Sequence, residues 1–164
     1  MFLSKEKGRF GRYALLAGVI ACASFAVTSA QAGQCPADQT KPDVRSPVDL
    51  KPVGVTDTVI ATIDVDKEQG IKDRSLRMRK LVIEPGGIVP WHSHGERPAI
   101  IYITEGEIHE YASNCAVPIV HKAGDVASEK KGTSHWWQNT GNTTAVLISV
   151  DLFPVDMKMD DHMM

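Results

Sequence analysis

Between Pro85 and Gly106 the chain reads PGGIVPWHSHGERPAIIYITEG, and this stretch restricts the fold more than any other. Three prolines and four glycines in it exclude a helix interior. An extended strand is left, entered through a turn at Pro85-Gly86-Gly87. In a strand, residues i and i+2 share a face, so His92 and His94 point together while Ser93 points away. A second glycine-bounded frame, GDVASEKKGTSHWWQN from Gly124 to Asn139, delivers His135, with Trp137 on the same face. A histidine pair spaced in this way is by itself weak evidence. Three imidazoles delivered by two strands can converge on one ion at about 2.1 Å from each nitrogen.

The rest of the chain has the same texture. Val59 to Val65 is β-branched, Asp66 to Gly70 is a turn, and Ser75 to Glu84 alternates toward the Pro-Gly-Gly turn. Further short runs follow: Ile88 to His94, Ala99 to Thr104, Glu107 to Tyr111, Ile119 to His121, Asp125 to Ala127, His135 to Asn139 and Ala145 to Asp151. Glycine-containing turns separate most of them, and no long amphipathic helical period appears. Many short strands at close spacing imply an all-β sandwich or barrel. Arg74 to Lys80 alternates as a solvated strand face would. Ala99 to Ile103 is apolar at nearly every position, as a strand buried on both faces is, which would suit a dimer-forming scaffold.

The N-terminus bears on the compartment. Lys5, Lys7, Arg9 and Arg12 stand against one acid, Glu6; an apolar run from Tyr13 to Val27 follows, then Ser29-Ala30-Gln31-Ala32. That order is the pattern of a secretory signal, with cleavage expected after Ala32. The apolar run is shorter than the roughly 20 residues that span a bilayer. An uncleaved N-terminal membrane anchor is a second reading. A lipoprotein signal with Cys22 as acceptor ranks lower, because apolar residues continue beyond Cys22 and an A-x-A site follows. Removing 32 of 164 residues leaves 132, enough for one domain with a core. The full chain has net charge −2 and the leader carries +3, so the mature chain is near −5. With no basic patch interleaved with aromatics, no nucleic-acid partner is expected. The expected organisation is a signal peptide (1–32), an extended arm (33–56), a barrel (57–153) and a flexible Met- and Asp-rich tail (154–164). Two cysteines, Cys35 and Cys115, remain in the mature chain; either they form one disulfide or they are separate thiols, and spacing does not decide.

The two frames resemble the paired motifs of the cupin superfamily. In the first, Gly86, His92, His94 and Gly106 match G-x5-H-x-H-x3-4-E-x6-G. In the second, Gly124, Gly132, His135 and Asn139 match G-x5-P-x-G-x2-H-x3-N. The resemblance covers about Val59 to Asp151. It implies a double-stranded β-helix (a jelly-roll barrel) with a divalent transition metal (Fe, Zn, Mn or Cu) bound inside by His92, His94 and His135; it weakly implies a homodimer. The motif glutamate is absent: its place falls on Ala99, or on Pro98 with the shorter spacer, and the motif proline is Lys130. Three outcomes follow. The site is three-His; or Glu96, which shares the parity of the two histidines, substitutes; or the site is weakened.

By parity, Ala99, Ile101, Ile103 and Trp137 should line an apolar pocket, while Arg97 and Tyr102 are the nearest polar groups for substrate contact. Trp91 and Trp136 should turn away from the metal. His109, His121 and His162 read as surface residues. A three-His iron site leaves positions for O2 and a chelating substrate. The functional expectation is an exported, metal-dependent dioxygenase-like oxidoreductase acting on a small organic acid, thiol or diketone. The alternative is a non-catalytic periplasmic or secreted cupin that binds a small ligand or metal.

Overall fold

The computed structural model describes residues 33–155. The signal-like segment with Cys22 and the tail with His162 lie outside the described residues.

Eight strands form one nearly closed antiparallel sheet: β1 Val53–Asp64, β2 Arg74–Ser93, β3 Ala99–Glu105, β4 Glu107–Ala112, β5 Ile119–Lys122, β6 Val126–Glu129, β7 Ser134–Gln138 and β8 Ala145–Pro154. Their order is β5-β4-β7-β2-β8-β3-β6, with β1 added beside β2. This is the double-stranded β-helix. β1 begins at Val53, inside the stretch read as arm, and the turn after it is a short helix, α1 Val65–Gln69. Asp64 caps α1, its carboxylate accepting from Lys67 N at 3.2 Å, and Gly70 closes it in the left-handed region.

The two runs expected on either side of Pro85-Gly86-Gly87 are one strand. β2 continues through the Pro-Gly-Gly segment and changes partners on the way. Arg74 to Ile83 pairs with β8, and Ile88 to Ser93 pairs with β7. Gly86 makes this bend possible with φ +78°. Gly106 has φ +74°, and a Cβ there would lie 2.5 Å from Thr144 O, so the β3–β4 turn admits no side chain. Asn139, fully buried, ties the far end of β7: its Nδ2 donates to Ile83 O (2.9 Å) and Thr143 O (2.8 Å), and its Oδ1 accepts from Gly141 N (3.0 Å).

Alternation fills the barrel. Leu81, Ile83, Val89, Ile101, Ile103, Ile108, Ala127, Trp137, Ala145 and Leu147 form one buried cluster. Two readings of the strand faces are corrected. Ala99 to Ile103 is buried on one face only, because a single layer of sheet covers it; Ile100 is 58% exposed and Tyr102 45%. Arg74 to Lys80 is not a wholly solvated face, because Arg77 and Arg79 point inward and are buried.

The arm is held to the barrel. Cys35 and Cys115 are bonded, with Cα atoms 5.8 Å apart at a sequence separation of 80. Thr40 bridges Cys115, and Arg45 donates from Nε to Cys115 O (3.1 Å) and from Nη2 to Ala116 O (3.2 Å). Closing so long a loop restricts the unfolded chain, an effect of about 2–4 kcal/mol. Replacing both cysteines by alanine should lower unfolding free energy by that amount in a denaturant titration; unchanged stability would contradict a structural bond.

Candidate metal centre

β2 and β7 deliver the three histidines by register. His92 pairs directly with His135 across the β2–β7 ladder, and a register shift between Val89 and His92 sets the approach. Side chains directly opposite in a ladder share a face, and His94 follows His92 by the period of two. The rings meet edge to face, with centroids 4.5–5.0 Å apart.

The decisive geometry is at the ring nitrogens. His92 Nδ1 donates to Pro90 O (2.8 Å), His94 Nδ1 to Arg97 O (2.8 Å) and His135 Nδ1 to Glu110 Oε1 (2.7 Å). Each acceptor is a carbonyl or carboxylate oxygen, so each Nδ1 carries the proton and a neutral ring leaves its Nε2 lone pair bare. Those bare atoms converge: His135 Nε2 lies 3.0 Å from both His92 Nε2 and His94 Nε2. Three such lone pairs facing one another form a ligand set that could hold a metal ion. Ligand bonds of about 2.1 Å at right angles give N···N separations of ~3.0 Å, against ~3.4 Å at the tetrahedral angle. The two separations measured from His135 are thus compatible with one ion held by all three rings, whose ligand atoms lie within 4.8 Å of one another.

Trp137 Nε1 lies 3.2 and 3.3 Å from the two nitrogens of His135, with the rings near perpendicular at 84°. Nearly equal distances put the indole N–H over the imidazole face rather than on either lone pair.

Behind His135 stands a buried acid pair. Glu110 on β4 accepts from His135 Nδ1 and, at 2.8 Å, from His121 Nε2. His121 is fully buried and stacks on Trp137; the reading of it as a surface residue is corrected. Glu129 on β6 places Oε2 3.6 Å from His135 Nδ1. Burial would raise Glu110, but the charge and hydrogen bonds of His135 and His121 outweigh it and hold the carboxyl at about 2. Burial lifts Glu129 to about 7, with Glu110 adding repulsion and His135 opposing. Burial lowers His92, and it brings His94 down to about 3; the charge of His135 adds to both. His135 moves the other way. Burial disfavours its charge, but Glu129 and Glu110 prevail and raise it. Glu110, Glu129 and His135 form a second group whose ligand atoms approach within 4.8 Å, but there His135 offers Nδ1, already committed to Glu110.

His92 and His94 open on a small, partly open cavity. His92, His94, Arg79 and Ser149 are its polar lining; Leu81, Val89, Ile101, Trp137 and Leu147 are its apolar walls. Of the residues read as pocket, Ile101 and Trp137 line it, while Ile103 and Ala99 are buried in the barrel without forming its wall. Glu96 is exposed and pairs with Arg74 at 3.7 Å, away from the histidines. Tyr102 stands on the outer face of β3 and does not reach the cavity. Arg97 is buried against Asp151 at 3.8 Å rather than facing the cavity. Trp136 stacks on Tyr111 away from the site, with centroids 4.0 Å apart.

Glu110, His121, Glu129 and Arg79 were missed from the sequence. Period two carried a usable signal: Glu110 alternates with the buried Ile108 and Ala112, and Glu129 with Ala127. Glu129 also pairs directly with Ala99, so a buried carboxylate stands across the ladder from the position lacking the motif glutamate.

Comparison with known proteins agrees with this fold. The cupin domain family model matches residues 79–151. The oxalate-binding protein of Thermotoga maritima is 32% identical over 83 residues, covering 51% of this chain and 67% of that protein. A germin-like protein of Arabidopsis thaliana (subfamily 2 member 5) is 28% identical over 97 residues, 57% of this chain and 46% of that one; the chain thus spans about half the length of the germin-like relatives it matches. Among solved structures, a predicted oxalate decarboxylase from Thermotoga maritima superposes with TM-score 0.50 at 20% identity, covering 73% of this chain and 98% of that one, a likeness of fold. The chain belongs to the cupin superfamily.

Outer partners of metal-bound histidines commonly affect affinity 10–100-fold. Glu110→Gln keeps an acceptor for His135 but loses the charge. Zinc affinity, read by chelator competition, should fall by about 10-fold or more; an affinity within about twofold of wild type would show that Glu110 has no part in the site.

Proposed function

We propose that this chain is an exported cupin that holds one divalent transition metal on His92, His94 and His135 and takes a small chelating organic ligand beside it. The observation that carries this reading is the convergence of three Nε2 atoms, His135 Nε2 lying 3.0 Å from those of His92 and His94, each ring fixed by a hydrogen bond from its own Nδ1. Charge supports it too, since all three rings sit in a site with a carboxylate behind it and none in the cavity lining.

Iron(II) held by three imidazoles supplies oxygen-dependent oxidation of a chelating substrate, and a dioxygenase is the enzymatic form of this proposal. The chain's own contribution is positional. Pro90 O and Arg97 O set the ring planes of His92 and His94. Glu110 fixes His135 and balances charge. Leu81, Val89, Ile101, Trp137 and Leu147 keep water from the ligand's carbon skeleton. The names of the oxalate-binding relative and the predicted oxalate decarboxylase favour an organic acid over a thiol or diketone. A binding role without turnover draws on one specific feature: among the described residues, no carboxylate lines the cavity to act as a general base there. Export rests on the N-terminal pattern of residues 1–32.

The exported protein should begin at Gly33 by intact mass and carry about one metal ion per chain, lost in His92→Ala. Oxygen uptake with small organic acids, dependent on iron and abolished in His92→Ala, is expected of the enzyme. One equivalent of zinc or copper without turnover would leave the binding role. A purified wild-type protein that takes up no metal would sink both.

A further inference from the structure

Five charged side chains cross the barrel interior beside the metal centre. Arg77 holds Asp151 with two bonds, Nε to Oδ1 at 3.0 Å and Nη2 to Oδ2 at 2.8 Å. Arg79 Nη2 lies 3.6 Å from the same Asp151 Oδ2, and Arg97 Nη1 lies 3.8 Å from it. Arg79 Nη1 also donates to Asp57 Oδ2, brought in by β1. Asp151 thus gathers all three guanidiniums, and Arg79 alone of them also reaches Asp57 among the described contacts.

Arg79 differs from the other two arginines because it lines the cavity that His92 and His94 open into. It is 4% exposed, and its Nε is a buried donor with no hydrogen-bond partner. An unsatisfied buried N–H in a native wall calls for a ligand atom. Ser149 is the residue paired with Arg79 across the β2–β8 ladder, and it lines the same cavity with a hydroxyl. The remaining walls are apolar.

We infer that Arg79, with Ser149 beside it, anchors an anionic ligand, and that the cavity takes a small carboxylic acid whose carboxylate sits on Arg79 while its chelating end faces His92, His94 and His135. Guanidinium and carboxylate match in shape and charge. A thiol or an uncharged diketone would leave Arg79 Nε unpaired, and sites built to bond a polar group reject analogues that lack it. The inference rests on the metal reading for its chelating end alone; the anchor belongs to the protein.

The test compares malonate with acetylacetone on the Co(II)-loaded protein, following the visible Co(II) absorption. Both are small two-oxygen chelators, but only malonate carries carboxylate oxygens beyond those on the metal. Arg79→Met combined with Asp57→Leu removes the ion pair without stranding either charge, and Asp151 keeps Arg77 and Arg97. In this double variant malonate affinity should fall about tenfold or more, the loss expected for a charged hydrogen bond, with acetylacetone changed less than about twofold. Ser149→Ala, which keeps every charge and threatens the fold least, should weaken malonate by about threefold or more with acetylacetone again unaffected. Malonate affinity unchanged in both variants, or malonate and acetylacetone weakened in parallel, overturns the assignment. If Co(II) gives no spectrum with wild type, the metal reading fails and the metal-free protein decides the anchor. A malonate-induced rise in Tm seen in wild type and absent from the double variant supports it. No rise in wild type overturns it.

Discussion

His135 Nε2 held 3.0 Å from both His92 Nε2 and His94 Nε2 is the constraint on which this molecule turns. Left bare, these lone pairs repel; with one positive charge at their centre, they attract. The hydrogen bonds on the other side of each ring force the confrontation, because they commit every Nδ1 as donor. Glu129 and Glu110 raise His135, while burial lowers His92 and His94. A metal held there would compete with protons for these nitrogens.

The centre also explains why the interior is not uniformly apolar. Behind His135, the Glu110 carboxylate joins β4 to β5 through His121 and to β7 through His135. Beside the cavity, Arg77 and Arg79 on β2 and Arg97 in the β2–β3 connection meet Asp151 on β8. A carboxylate stands behind the histidines, and Arg79 with Ser149 lines the cavity they open on; Leu81, Val89, Ile101, Trp137 and Leu147 make up its apolar walls.

The fold was legible because period two and glycine turns are local signals: each strand could be read from its own residues, and the two motif frames located His92, His94 and His135. Three things were not legible. The continuity of β2 through Pro85-Gly86-Gly87 depends on which neighbours it pairs with, and these change mid-strand from β8 to β7. The inward turn of Arg77 and Arg79 looked like a solvated face, because their counter-charges, Asp57 and Asp151, lie 22 and 74 residues away. Parity was also applied too locally. Tyr102 and Ile101 occupy one strand but opposite faces, and Arg97 precedes β3, so nearness in sequence to His94 did not bring Arg97 or Glu96 to the cavity. The carboxylate missing at Ala99 was sought along the chain, whereas Glu129 stands across the ladder from it.

X-ray absorption at the metal edge of the loaded protein tests the central claim most directly. Three imidazole nitrogens at about 2.1 Å, with the remaining positions filled by oxygen from water or an added acid, is the expected first shell. A shell with fewer than three imidazoles would contradict it.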